Sequence, residues 1–251
     1  MVLVHGSGAH SHWWDFIAPL LTDQFEVTAI DLAGMGNSDH REKYSSEGFG
    51  EEILAVAKDS GFFDNRPCPP IVCGHSLGGY MSIHAAHLAS GSIRGVIMID
   101  SPIRPPNFDY SNHQRSGPIR KRKTYPDLET IFKRFRLAPD QPTSYPFVLD
   151  YIAKHSVEEA NGGFEWKFDD TFFYKLGFTS MPAGHAFNLA CPLAYIYGEK
   201  SDLVTEPILN YMKSKFPKDT PMIEIKGAHH HVLLDKPIEL ARAIIKITEE
   251  W

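Results

Sequence analysis

Short apolar runs rich in β-branched residues alternate along the chain with longer stretches in which apolar residues recur at helical spacing. This pattern predicts strands over residues 2–5, 25–30, 70–73, 93–100, 193–197 and 222–225. It predicts helices over residues 13–21, 47–60, 76–89, 206–215 and 237–249. Because strands that alternate with helices form parallel sheets, the chain is expected to have an α/β fold with a doubly wound, mostly parallel sheet.

The alternation stops between residues 102 and 190, where prolines are frequent and helical patterns occur only near 127–137 and 145–155. A segment of this length cannot lie within a parallel sheet, so it is expected above the strand ends. We therefore predict a core formed by residues 1–101 and 191–251, with a helical cap, or lid, inserted over residues 102–190.

Composition narrows the class of protein. The 251 residues are 43% hydrophobic, enough for one large core, and the formal charge of −6 gives no reason to expect nucleic acid or an anionic membrane as partner. Three cysteines without metal-ligand spacing favour a reducing compartment, and no apolar run is long enough to span a membrane. We expect a cytoplasmic protein that binds neither nucleic acid nor membrane.

The sequence "GHSLG" at positions 74–78 matches the pattern G-x-S-x-G. An apolar run precedes it and a helical pattern follows it, which is the strand–turn–helix setting of a nucleophilic serine. In that setting Ser76 occupies a strained turn, and the backbone N–H of Leu77 points toward a developing oxyanion. The pattern therefore predicts Ser76 as a nucleophile.

A nucleophilic serine requires a base and an acid that orients the base. Three consecutive histidines, His229, His230 and His231, follow the last predicted strand and precede the last helix. All three are candidates for the base, with His230 preferred.

Five segments, "LVHGSG", "AIDLAGMGNSD", "GHSLGG", "YGEKSDLV" and "HHVLLDKP", resemble successive signatures of the α/β-hydrolase superfamily and span nearly the whole chain. The resemblance implies a cap-bearing, serine-dependent, carboxylesterase-like member. About two more strands precede the "HG" strand in relatives, so either this sequence is shortened or its sheet has about six parallel strands. It favours His230, five residues before Asp235, as the base. It also implies that the backbone N–H of Ser7 is the second oxyanion donor.

Two aspartates compete for the role of the acid. Asp202, in "GEKSDLV", follows the strand that usually carries this residue in the superfamily, and it is the preferred candidate. Asp100, at the end of the preceding predicted strand, is the alternative, because some members use that position.

The resemblance implies hydrolysis of carboxylic esters with small or medium acyl chains through an acyl-enzyme intermediate. Hydrolysis of C–C bonds in diketo acids, lactone hydrolysis and perhydrolysis are alternatives on the same triad, and a non-catalytic ligand-binding member is a further one. No metal or cofactor is expected. The expected partner is a small-molecule ester, and a homo-oligomer is possible.

Residues 115–136 contain eight basic residues against two acidic ones. A solvated cap surface is the ordinary interpretation. The alternative is that this stretch attracts an anionic part of the substrate, such as a phosphopantetheine group or a carboxylate.

Overall fold

The computed structural model describes residues 1–64, 66–108, 123–143, 145–176 and 187–251. Six strands form one sheet in the order β2-β1-β3-β4-β7-β8, and all neighbours pair in parallel. The strands are β1 (Val2–Val4), β2 (Thr28–Ile30), β3 (Ile71–His75), β4 (Gly95–Ile99), β7 (Leu193–Gly198) and β8 (Met222–Ile225). The parallel sheet confirms the predicted fold class.

Helices cover both faces of the sheet, and strand residues alternate between the two layers. Val2 and Val4 face a core layer that contains residues of α1 (Ser46–Asp59), α2 (Leu77–Leu88) and α6 (Glu206–Lys215). Leu3, between them, faces the opposite layer with residues of α8 (Pro237–Glu249). The predicted helices at 206–215 and 237–249 match α6 and α8 residue for residue.

The segment predicted as one helix over residues 13–21 forms two short 3-10 helices, Ser11–Trp14 and Ala18–Leu20. Pro19 lies in the second of them and has no backbone N–H to continue a regular α-helix from the preceding turn. The prediction of a single helix is therefore wrong. Trp14 and Ile17 nevertheless are fully buried against the sheet, as the apolar spacing indicated.

Between β4 and β7, the described residues form α3 (Leu128–Phe132), α4 (Pro146–His155), an antiparallel hairpin of β5 (Val157–Ala160) and β6 (Gly163–Trp166), and α5 (Phe172–Lys175). The hairpin was not predicted, because its strands, "VEEA" and "GFEW", are not apolar runs rich in β-branched residues. α7 (Val232–Asp235) lies in the core, directly before α8. No helix within the described ranges combines the length and apolar character that a bilayer crossing requires.

Asp169 fastens the insertion to the core. The Tyr44 hydroxyl donates to its Oδ2 over 2.6 Å, Lys175 Nζ lies 2.8 Å from the same oxygen, and the backbone N–H of Asp169 donates to the Gly34 carbonyl. Burial raises the pKa of the Asp169 carboxyl, but the hydrogen bonds that it accepts from Lys175, Thr171 and Tyr44 together hold this pKa well below its usual range. The carboxylate therefore stays ionised and paired.

Candidate active site

Ser76 lies on the turn between β3 and α2, with φ 52° and ψ −118°. A positive φ is rare for a residue with a side chain, and its strain is typical of functional sites. Close approach of the backbone fixes the turn: a Cβ on Gly78 would lie 2.4 Å from the Val4 carbonyl oxygen, so only glycine fits there. Ser101 Oγ–H donates to the Ser76 carbonyl over 2.8 Å and holds the turn from β4. The predicted strained turn is present.

Asp100 follows β4, the neighbour of β3, so it lies at the same edge of the sheet as Ser76. It also has a positive φ, 47°, and is fully buried. Its carboxylate accepts three hydrogen bonds: from His230 Nδ1 over 2.7 Å, from Ser201 Oγ over 2.6 Å and from the Gly198 N–H over 2.8 Å. Three donors replace the water that a buried carboxylate loses.

The structure places Asp100, and not the preferred candidate Asp202, in hydrogen-bond contact with His230. Asp202 is exposed, and its carboxylate is not among the hydrogen-bond partners of His230 in the described part of the chain. From the loop after β7, Ser201 donates a hydrogen bond to Asp100. The loop after β4 therefore carries the carboxylate, and the loop after β7 carries a hydrogen-bond donor that supports it. Asp100, the alternative acid, is the residue against His230.

His230 is buried, and its contact with Asp100 determines its tautomer. A carboxylate only accepts hydrogen bonds, so in the neutral form of His230 the proton is on Nδ1 and the lone pair is on Nε2. That is the tautomer a general base requires. Within the described residues no hydrogen bond joins Ser76 to His230, and the two are linked through the residue before the serine, His75.

His75 Nε2–H donates to the His230 carbonyl over 2.9 Å. Burial holds the pKa of His75 well below its usual value, and the nearby imidazoles of His230 and His231 lower it further, so the ring is a neutral donor. His75, the first x of G-x-S-x-G, thus holds the loop of residues 229–231, the histidine loop, against the turn at Ser76. The sequence contains no local signal for this role.

The insertion also holds the histidine loop. Gln141 accepts from the backbone N–H of His231 over 2.9 Å and donates to Asp235 Oδ1 over 3.0 Å. Asp235 Oδ2 in turn accepts from the backbone N–H of His229 over 2.7 Å. His231 Nε2–H donates to the Pro139 carbonyl. His229 and His231 therefore flank His230 as parts of this support, and their hydrogen bonds within the described residues go to Asp235, Gln141 and Pro139.

The two expected oxyanion donors lie on the loops that flank Ser76. Leu77 is the first residue of α2, and Ser7 follows Gly6, where a Cβ would lie 3.2 Å from Ser76 Cβ. His5 is buried and supports this loop: its Nδ1–H donates to the Gly6 carbonyl, and its Nε2 accepts from the Leu32 N–H. The sheet thus brings together the loops that carry both amides.

His75, His230 and His231 place ring nitrogens within 4.8 Å of one another, which is a possible metal-ligand arrangement. Each ring, however, already has one nitrogen bonded to the protein, and these bonds position the loop. A site without a metal, as expected from the sequence, stays a prediction.

Comparison with known proteins defines the class. The model of the alpha/beta hydrolase family matches residues 1–243. Pimeloyl-[acyl-carrier protein] methyl ester esterase of Serratia marcescens is 26% identical over 91% of this chain and 86% of its own length. The corresponding esterase of Methylococcus capsulatus is 33% identical, over 39% of this chain and only 35% of that protein.

Among solved structures, the thioesterase domain from the curacin biosynthetic pathway superposes with a TM-score of 0.79, covering 98% of this chain and 90% of that chain at 22% identity. At that identity the likeness concerns the fold. The chain belongs to the α/β-hydrolase family, and its matched relatives include esterases.

Proposed function

We propose that the protein is a serine carboxylesterase in which Ser76, His230 and Asp100 form the triad. The observation that carries the proposal is the 2.7 Å bond between His230 Nδ1 and the buried Asp100 carboxylate, at the sheet edge where Ser76 occupies its strained turn. A buried carboxylate that orients an imidazole beside a half-buried, strained serine is the arrangement of nucleophilic catalysis.

In the first half-reaction, Ser76 Oγ attacks the ester carbonyl while His230 Nε2 takes its proton. The amides of Leu77 and Ser7 stabilise the oxyanion that forms on the carbonyl oxygen. The C–O bond to the alcohol then breaks, the alcohol leaves with the proton from His230, and the acyl group stays on Ser76. The Asp100 carboxylate stabilises the imidazolium.

In the second half-reaction, His230 takes a proton from water, whose oxygen attacks the acyl-enzyme. The bond to Ser76 Oγ breaks, the serine regains its proton from His230, and the carboxylic acid leaves. We infer that the substrates are esters of small or medium acyl chains, because the resemblance to carboxylesterases first suggested this class.

The test compares wild type, Ser76→Ala and Ser90→Ala on p-nitrophenyl esters from acetate to octanoate. Ser90 is a matched control, because it is exposed and also has a positive φ, 47°, but lies at the far end of α2. We expect turnover to fall at least 10⁴-fold in Ser76→Ala and to stay within about twofold in Ser90→Ala.

Labelling with a fluorophosphonate, followed by peptide mass analysis, should modify Ser76 in wild type and Ser90→Ala only. Equal ester hydrolysis by wild type and Ser76→Ala, or labelling that persists in Ser76→Ala, would overturn the proposal.

A further inference from the structure

A cavity of about 710 Å³ lies between the loop after β1 and the insertion. Gly8, Ala9 and His10 line its core side, while Trp166 and Phe168 belong to its insertion side. Its volume is in the range of small-molecule sites. Other residues of the cavity wall include Tyr125, Phe135 and four basic side chains, Lys123, Arg134, Arg136 and Lys167.

The cavity begins where the loop beside Ser76 ends. Gly6 packs on Ser76, Ser7 is the expected oxyanion residue, and the next two residues line the cavity. Residues 6–9 thus lead from the side of Ser76 to the cavity wall. A substrate whose carbonyl lies at Ser76 therefore has this cavity beside it.

The charges along the wall are unbalanced. Four cations face a single acid, Asp170, in a chain whose net charge is −6. Among the described residues none of the four forms a salt bridge. Lys167 Nζ donates to Asn37 Oδ1, the Arg136 guanidinium donates to backbone carbonyls, and Lys123 lies over the Tyr125 ring.

Two other cations of the same region do have carboxylate partners. Lys133 forms an ion pair with Glu129, and Lys175 forms one with Asp169. Among the described residues the four cations of the cavity wall therefore differ from these two lysines in having no carboxylate partner. Such a site attracts anions, and the aromatic side chains of the wall suit an apolar body next to the anionic group.

We propose that this cavity binds an anionic group, a carboxylate or a phosphate, at the far end of an ester substrate, whose apolar body lies against Trp166 and Phe135. The proposal rests on the proposed esterase function, since it places the scissile carbonyl at Ser76. It gives the basic stretch of residues 115–136 a specific role for its described members. Arg115, Arg120, Lys121 and Arg122 lie outside the described residues.

The first experiment compares kcat/KM for three methyl esters of matched length: methyl octanoate, monomethyl suberate and methyl 8-phosphonooxyoctanoate. We expect both anionic esters to be preferred over the neutral one, with a preference that falls as salt is added. The two anionic arms distinguish a carboxylate from a phosphate as the bound group.

The variant Arg134→Gln/Arg136→Gln should lower kcat/KM about tenfold on the preferred anionic ester, because two cations are removed, and less than twofold on methyl octanoate. Lys133→Gln is the matched control, because Lys133 lies between α3 and the two arginines but pairs with Glu129. An equal loss on neutral and anionic esters, no preference for either anion in wild type, or the same selectivity change in Lys133→Gln would overturn the proposal.

Failure of this inference can be separated from failure of the esterase function. If methyl octanoate is hydrolysed and Ser76 is labelled while the arginine variant leaves selectivity unchanged, only the anion site is wrong. If no ester is hydrolysed, binding of suberate to the Ser76→Ala protein by calorimetry tests the cavity alone. Binding that the arginine substitutions weaken about tenfold supports the site, and equal binding overturns it.

Discussion

The candidate active site and the cavity beside it differ in how their charged groups are paired. At the sheet edge, the buried carboxylate of Asp100 accepts from three donors, and hydrogen bonds orient the rings of His75 and His230. In the cavity, four cations lack carboxylate partners among the described residues. Buried groups that hydrogen-bond to one another fix the geometry of a site, whereas cations without carboxylate partners attract an anionic ligand from solution. We therefore expect the chemistry to depend on the core and the selectivity to depend on the insertion.

The largest effect that separates the two regions is expected at Asp100. Asp100→Asn should reduce kcat roughly 10⁴-fold, because an amide in that place favours the wrong imidazole tautomer. Asp202→Asn, the control on the neighbouring loop, should stay within about twofold. Steady-state kinetics on p-nitrophenyl butyrate measures both, with circular dichroism to show that each variant is folded. Near-normal turnover in Asp100→Asn with loss in Asp202→Asn would reverse the assignment.

The sequence predicts those parts of the site that are coded by neighbours along the chain. Ser76 is recognisable because the strand, the glycines and the helix around it are contiguous, and His230 because it precedes the "DKP" ending by a fixed spacing. Parallel order follows from the alternation of strands and helices. These features need no knowledge of distant contacts.

The acid could not be chosen from the sequence. Asp100 and Asp202 each follow a strand, and β4 and β7 are adjacent in the sheet, so both lie near the same edge. The contact of His230 Nδ1 with Asp100 and the hydrogen bond from Ser201 favour Asp100, and both are properties of three-dimensional packing. The same holds for Gln141, which contacts a residue 94 positions away.

The tight packing under the serine turn leads to the second prediction. Gly78→Ala should destabilise the fold by about 3 kcal/mol, because its Cβ would lie 2.4 Å from the Val4 carbonyl oxygen and strand β1 would have to move. Gly162→Ala in the β5–β6 hairpin is the matched comparison. Nothing lies within 4 Å of a Cβ there, and only the φ of 77° opposes it, which costs about 1 kcal/mol. Urea unfolding measures both, and equal losses would contradict this difference.

The boundary between the core and the insertion should make stability depend on pH. His10 is buried, its Nε2 lies 2.9 Å from Ser156 Oγ, and burial lowers its pKa to about 3. The titratable groups near it are His5, Asp31, His12 and His155. In the unfolded chain a histidine protonates near pH 6.5, so between pH 6.5 and 3 the unfolded state binds more protons and stability falls as pH falls.

We expect His10→Gln to reduce that slope by up to about 1.4 kcal/mol per pH unit, because glutamine keeps a donor but does not titrate. Unfolding in urea at pH values from 7 to 4.5 measures the slope. His87→Gln, at an exposed position of α2, is the control and should leave it unchanged. A His10→Gln slope equal to that of wild type would show that this boundary does not exclude protons.

The smallest effect is expected at Gln141, where the insertion contacts the histidine loop and Asp235. Gln141→Ala removes both hydrogen bonds to the histidine loop, so kcat should fall about tenfold while KM changes little, since the loop is positioned less well for proton transfer. Gln24→Ala, at an exposed position, is the control.

Gln141→Glu is the sharper variant: it keeps the acceptor for His231 but sets a carboxylate against Asp235. The loss of kcat in Gln141→Glu should match or exceed the loss in Gln141→Ala, and it should lessen as pH falls toward 5. A kcat equal to that of wild type at every pH would show that the insertion affects only substrate selection.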